Sequence, residues 1–254
     1  MKTPMIGLRY DLEKSFTIAM AIKGVYLDIR EDITLDKMDI LVILGGDGYI
    51  LHEANAVAKS GFKIPLFRVN TGHVGYLANV DITMPDMNGL ASCTNLIDKL
   101  YKREFILKRR TRIACYINDK YVDDALNDIV IERIYTRPIT IHEQLEDDSN
   151  YLIRRGDGLI VATQSGSSAY NRAAGAPILV RDSFISTVIC PADLTFGSFR
   201  IFNTDEILNV HLFNPWDNAR VVLDGNEIAR ITSRDRIKII KSDYSNYFIE
   251  FGDD

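Results

Sequence analysis

The chain has little of what marks a disulfide-stapled, metal-holding or membrane-embedded protein. Its 254 residues include only three cysteines, Cys93, Cys115 and Cys190, odd in number and far apart. That spacing offers neither a disulfide framework nor a zinc-type pair, and buried small hydrophobes are the plainer reading. The four histidines, His52, His73, His142 and His211, form no HxxxH pair that would suggest zinc. No run approaches the roughly 20 apolar residues of a spanning helix, and the opening MKTPMIGLRYDLEK has no apolar segment of signal-peptide length. A cytoplasmic location without a membrane partner is therefore expected. Positive charge is also short: 30 Lys and Arg against 35 Asp and Glu leave a formal net charge of -5. No global field draws in a nucleic-acid backbone, so any polyphosphate ligand must be held by a local site.

What is present suits a globular fold. With 46% hydrophobic and 26% charged residues, the chain is long enough for two ordinary domains. Up to about residue 100, short apolar runs such as ILVIL and IPLFRV alternate with helical spacing, notably Ile50, Leu51, Ala54, Val57 and Ala58, closed by Gly61 at a C-cap position. A further helix is expected over NGLASCTNLIDKLYK, with Leu90, Leu96, Ile97 and Leu100 on one face. Beyond it the runs TRIACYIN, ALNDIVIER, ITIHEQLE, GLIVAT, STVIC, ILNVHLF, ARVVLDG, EIARIT and RIKII are short, rich in Val, Ile, Thr and Tyr, and divided by turn residues. DGN at 224–226 is a hairpin signal, because Asp and Gly tolerate positive φ. The expected architecture is an α/β N-terminal domain with a parallel sheet, residues 1–100, followed by a β-rich C-terminal domain, residues 101–232. The segment from about 233 to 254 can return to the first domain.

The stretch LVILGGDGYIL, residues 41–51, runs from a buried strand straight into Gly45, Gly46, Asp47 and Gly48. Glycines there let the backbone turn sharply and let a ligand approach main-chain N–H groups without a Cβ clash. The stretch matches neither GxGxxG nor GxxxxGK[ST], so neither common nucleotide fingerprint explains it. A carboxylate among the glycines would repel phosphate unless Mg²⁺ or a transferable proton intervenes, which makes Asp47 a candidate base for phosphoryl transfer. The plain alternative is a tight turn in which Asp47 bonds its own backbone. A second glycine turn, RVNTGHVGYL, follows the next apolar run. Two such turns from neighbouring parallel strands would face one crevice.

The blocks GGDG, NTGHVGYL, ALNDIVIER and RGDGLIVATQSGSSAYNRAAGAPIL occur in the order and at the spacings of the NAD kinases, which this chain resembles over about residues 38–180. The resemblance implies transfer of the γ-phosphoryl group of ATP, with Mg²⁺, to the 2′-hydroxyl of the adenosine ribose of NAD. It implies that Asp47 acts on that hydroxyl and that Asn127 and Asp128 hold NAD through its ribose. It places Asp157 on the nicotinamide side, and Ser167, Ser168, Ala169 and Tyr170 along the dinucleotide pocket. Gly45, Gly46, Gly48, Tyr49, Asn70, Thr71, Gly72, His73 and Arg155 complete the expected nucleotide-binding set. Without the resemblance, Ser167 and Ser168 read as N-caps of a short helix in SAYNRAAGAPIL, ended by Gly175 and Pro177, while Asn127 and Asp157 read as turn residues.

The implied partners are ATP, with polyphosphate as an alternative donor, and NAD. The implied assembly is a homodimer or homotetramer. GGDG alone also resembles lipid and sphingoid kinases, and a catalytically weak NAD(H)-binding protein is the other alternative. Departures from the family pattern are Tyr49 in place of the usual Thr, Arg68 where many members have Gly, QSGSS for PTGST, and a loosely matching PADLTFGSFRIF.

Overall fold

The computed structural model describes residues 3–72, 77–82, 87–146, 151–194 and 197–252. The chain packs as two units, residues 1–110 with 244–254, and residues 111–243.

In chain order the elements are β1 (Ile6–Tyr10), α1 (Leu12–Val25), β2 (Ile40–Gly45), α2 (Asp47–Ser60), β3 (Pro65–Asn70), β4 (Val80–Asp81), α3 (Met87–Lys102), β5 (Ile106–Ile117), β6 (Lys120–Ala125), β7 (Asp128–Arg133), β8 (Ile139–Leu145), β9 (Leu152–Gly156), β10 (Gly158–Ala162), α4 (Tyr170–Ala173), β11 (Phe184–Ile189), β12 (Phe199–Phe202), β13 (Leu208–Leu212), β14 (Asn218–Leu223), β15 (Asn226–Thr232) and β16 (Ile237–Glu250).

The first unit is the expected α/β layer. β1, β2 and β3 pair in parallel, and the end of β16 adds a further parallel strand through Tyr247 and Phe248. Every residue of β2 is buried, as a strand covered on both faces must be. Ile18 and Ile22 of α1 pack on Leu8, Val42 and Phe67, and α3 adds Cys93, Ile97 and Leu100 to the same core. α2 begins on the glycine turn and stops at Gly61, whose φ of 76° is the left-handed cap that glycine adopts without strain.

The second unit is two antiparallel sheets around one core. The first has the order β12-β11-β10-β7-β14-β15. The second pairs β9 with β8, β8 with β13, and β13 with the start of β16. Ile129, Ile131, Leu159 and Val161 of the first sheet meet Ile141, Val210 and Ile239 of the second. The other face of the first sheet is covered by Ala176 and Leu179, so β10 is buried at every position. The expected hairpin is present between β14 and β15, with Asp224 at φ 46° and Gly225 at φ 84°. The short helix expected in SAYNRAAGAPIL is smaller than its pattern suggests. A 3-10 turn over Gly166–Ser168 is broken at Ala169 (φ -94°, ψ -122°), and α4 spans only four residues before Gly175 turns left-handed.

Candidate active site

In the first unit the glycine turn after β2 and the opening of the second turn, residues 71–72, lie side by side, because β2 and β3 are parallel neighbours that end together. The Thr71 amide donates to the Gly45 carbonyl at 3.3 Å, and a Cβ on Gly72 would stand 3.5 Å from the Gly46 Cα. Asn70 is buried and shapes the second turn: its Oδ1 accepts from the Gly72 amide at 2.9 Å, and its Nδ2 donates to Asp81 at 2.7 Å. Thr71 is tied to α1 through the Ser15 hydroxyl at 2.7 Å. His73 lies outside the described residues.

Asp47 is the first residue of α2, with Gly46 as N-cap, so its carboxylate sits where helical N–H groups are open to an anion. It is half-buried, and its Oδ1 accepts from the Leu77 amide at 3.3 Å. No heavy atom among the described residues comes within 4 Å of a Cβ built on Gly46 or Gly48, which leaves that side of the turn accessible to a ligand. Gly45 is different. A Cβ there would fall 2.7 Å from the Tyr49 ring, so the Tyr in place of the family's usual Thr packs over the missing side chain. The Tyr49 phenol is pushed up to about 12 by burial and by the charge and hydrogen bond of Glu53, so it stays protonated.

In the second unit the Asn127–Asp128 turn is held by a residue that the sequence offered only as a hairpin signal. The Asp224 carboxylate accepts from three consecutive amides, Leu126 at 2.7 Å, Asn127 at 2.8 Å and Asp128 at 3.2 Å. Thr163 fastens the same turn, its hydroxyl donating to Leu126 at 2.5 Å and its amide to Asn127 at 2.9 Å. So anchored, Asn127 keeps its Oδ1 buried and without a partner. A buried acceptor left open in a rigid turn is costly, and a ligand hydroxyl or amide would satisfy it.

Asp128 is also buried. Burial first, and the Asp224 charge second, raise its carboxyl to about 7. Burial raises Asp224 too, but its amide bonds and Arg112 pull it back. Asp224 therefore keeps the charge and Asp128 holds the proton near neutrality. Because the folded-state value lies above the ordinary carboxylate value of 3.8, Asp128 favours folding fully below about pH 4, and that contribution is lost as the pH rises through about 7. In urea melts, Asp128→Asn should gain on the wild type by more than about 1 kcal/mol between pH 4 and pH 8. Parallel pH curves for the two proteins would refute the assignment.

The remaining expected residues separate by exposure. Asp157 and Arg133 form a two-point ion pair at 2.8 and 3.0 Å, which fixes Asp157 at the junction of β9 and β10. Arg155 and Tyr170 are exposed. Ser167 is fully buried. Its hydroxyl donates to the Gln164 carbonyl at 2.7 Å and accepts from the Leu179 amide at 2.9 Å. Ser168 donates to the Ser165 carbonyl at 3.2 Å. Both hydroxyls shape the turn from within, and Ala169 forms the break between that turn and α4.

Two family models match the chain: residues 17–104 match the ATP-NAD kinase N-terminal domain, and residues 126–251 the ATP-NAD kinase C-terminal domain. Among curated relatives, an NAD kinase of Clostridium botulinum (strain Loch Maree / Type A3) is 32% identical over 221 residues, 85% of this chain and 74% of that protein. An NAD kinase of Clostridium kluyveri is 29% identical over 252 residues, 96% of this chain and 83% of its own length. Among solved structures, yeast NADH kinase complexed with NADH has a TM-score of 0.82 at 17% identity, covering 99% of this chain and 85% of the other. An NAD kinase from Archaeoglobus fulgidus in complex with ATP has a TM-score of 0.74 at 24% identity, covering 96% and 93%. At these identities the two structures establish the fold.

Proposed function

The chain belongs to the NAD kinase family, and we propose that its Asp47 and Asn127–Asp128 turns carry the family reaction, transfer of the γ-phosphoryl group of ATP to the 2′-hydroxyl of the adenosine ribose of NAD. The observation that carries the assignment is the buried, unpartnered Oδ1 of Asn127 in a backbone locked by Asp224. It accepts a ribose hydroxyl. The neighbouring Asp128, holding a proton near neutrality, can donate to a second acceptor on the same ligand.

In this reading the Asp47 carboxylate takes the proton of the attacking 2′-hydroxyl as the new oxygen–phosphorus bond forms and the bond from the γ-phosphorus to the β,γ-bridging oxygen breaks, releasing ADP. The N–H groups opening α2 and the glycine turn receive phosphate oxygens. Among the described residues no group of three His, Cys, Asp or Glu side chains gathers to hold a metal. A divalent cation, Mg²⁺ in this proposal, would come with the ATP phosphates, Asp47 being a carboxylate that would help to hold it, and would supply charge neutralisation there. The division into a GGDG-bearing domain and a β-rich NAD-binding domain, and a cytoplasmic location, belong to the same proposal. No helix among the described residues is long and apolar enough to cross a membrane.

Asn127→Ala tests the acceptor site. It should raise the Michaelis constant for NAD about five- to a hundredfold, since a lost hydrogen bond in a buried polar site costs on the order of 1–3 kcal/mol, and leave that for ATP nearly unchanged. A rise confined to ATP would move the turn to the donor. A homodimer or homotetramer is also part of the proposal: β9 and β12 end their sheets and expose Ile153, Phe199 and Ile201. Light scattering should show the oligomer, and a fully active monomer at micromolar concentration would rule it out.

A further inference from the structure

The first unit contains a cavity of about 640 Å³ whose lining includes Arg68, Asn79, Lys99, Arg110 and Glu250. Arg68 is unusual in its place. β3 sends Phe67 and Val69 into the apolar core, yet the residue between them is an arginine only 5% exposed. Its guanidinium lies over the Phe248 ring at 3.7 Å, and its Nη2 donates to the Ile249 carbonyl at 3.3 Å. Arg110 approaches the same ring at 5.8 Å. Each of these two arginines keeps a buried Nε–H without a partner.

Glu250, the one carboxylate among the described lining residues, is already engaged by Arg110 at 2.7 Å and by Lys108 at 3.6 Å. Arg68, Lys99 and Arg110 are the cationic side chains among the described lining residues. Burial first, and the like charge of Arg110 second, hold the Arg68 guanidinium below its ordinary range. Glu250 and Asp47 offset this in part. A buried cation held beside a second cation is a standing cost that an anion in the cavity would offset.

We propose that this cavity is a binding site for a phosphate-type oxyanion, taken by the guanidiniums of Arg68 and Arg110 with the ammonium of Lys99. The oxygens of a tetrahedral oxyanion suit the forked N–H donors of two guanidiniums, including the two Nε–H groups left without a partner. Two sources offer this chemistry, free inorganic phosphate and the phosphate groups of a nucleotide. The inference is independent of the turnover assigned above, because occupancy is read as binding.

The test is thermal unfolding of the full chain in inorganic phosphate against chloride at matched ionic strength, with titration calorimetry of phosphate. The wild type should show a saturable rise in Tm that chloride does not produce. Arg68→Met keeps an apolar stem on Phe248 and removes the forked donor, so it should weaken phosphate binding about tenfold or more and lose most of the shift. Should that variant fold poorly, Lys99→Met reads the same loss at another lining residue. Repeating the titration with ATP present identifies the source. If ATP abolishes the phosphate effect, the site takes nucleotide phosphate; if the effects add, it takes free phosphate. A wild type stabilised no more by phosphate than by chloride, or folded variants that keep the full shift, would overturn the proposal.

Discussion

Asp47→Asn is expected to keep the fold and NAD binding while turnover falls by about 10²–10⁴. The substitution is nearly silent structurally. Asp47 opens α2 behind a glycine N-cap, and its Oδ1 accepts from the Leu77 amide at 3.3 Å, a role that the amide oxygen of asparagine can fill. The carboxylate is half-buried, so the change leaves no cavity, and the buried Arg68 keeps Glu250 as the larger of its two offsetting charges. What disappears is the capacity to take a proton from an attacking hydroxyl. The loss should therefore appear in kcat, with the calorimetric affinity for NAD within a few-fold of wild type and an unchanged melting curve. A turnover close to that of the wild type would remove Asp47 from the chemistry.

The parts of this molecule that were legible in the sequence are those decided by neighbours along the chain. Gly61 ends α2 because its φ of 76° needs glycine, and the apolar spacing before it marks the helix face. DGN at 224–226 turns because Asp and Gly accept positive φ. The uniformly apolar ILVIL reads as a strand covered on both faces, and it is one. What could not be read depends on residues distant in sequence. Asp224 takes the amides of residues 96–98 positions earlier, and nothing in DGN distinguishes a turn residue from the clamp of another turn. Ser167 and Ser168 have the residue types of ligand contacts or caps, but the first hydroxyl is turned inward by Gln164 and Leu179, and the second by Ser165. Arg68 stands out as a cation in an apolar run, yet only Phe248, 180 positions further on, explains how the strand accommodates it.

A glycine can be required by a ligand or by the fold, and Gly48 and Gly166 separate the two cases. A Cβ on Gly48 meets nothing within 4 Å among the described residues, and the position lies exposed in the first turn of α2. Gly48→Ala should therefore raise stability, by up to about 1 kcal/mol from helix propensity. Any damage should appear in turnover, where a methyl group obstructs phosphate approaching the backbone. Gly166 faces the opposite situation. A Cβ there would stand 2.0 Å from the Asn127 carbonyl oxygen and 2.4 Å from its carbon, distances that no side chain tolerates. Nor can Asn127 retreat easily, since Asp224 holds its amide at 2.8 Å and Thr163 holds its carbonyl at 2.9 Å. Gly166→Ala should thus cost about 3 kcal/mol, the upper part of the usual overpacking range. Because the displaced atoms belong to the turn that presents the Asn127 Oδ1, the NAD Michaelis constant should rise at least about tenfold, while that for ATP changes little. Urea melts and steady-state kinetics on the two alanine variants measure both effects. An unchanged Gly166→Ala midpoint with an unchanged NAD constant would mean that the turn yields without cost, and that its rigid presentation of Asn127 does not determine acceptor binding.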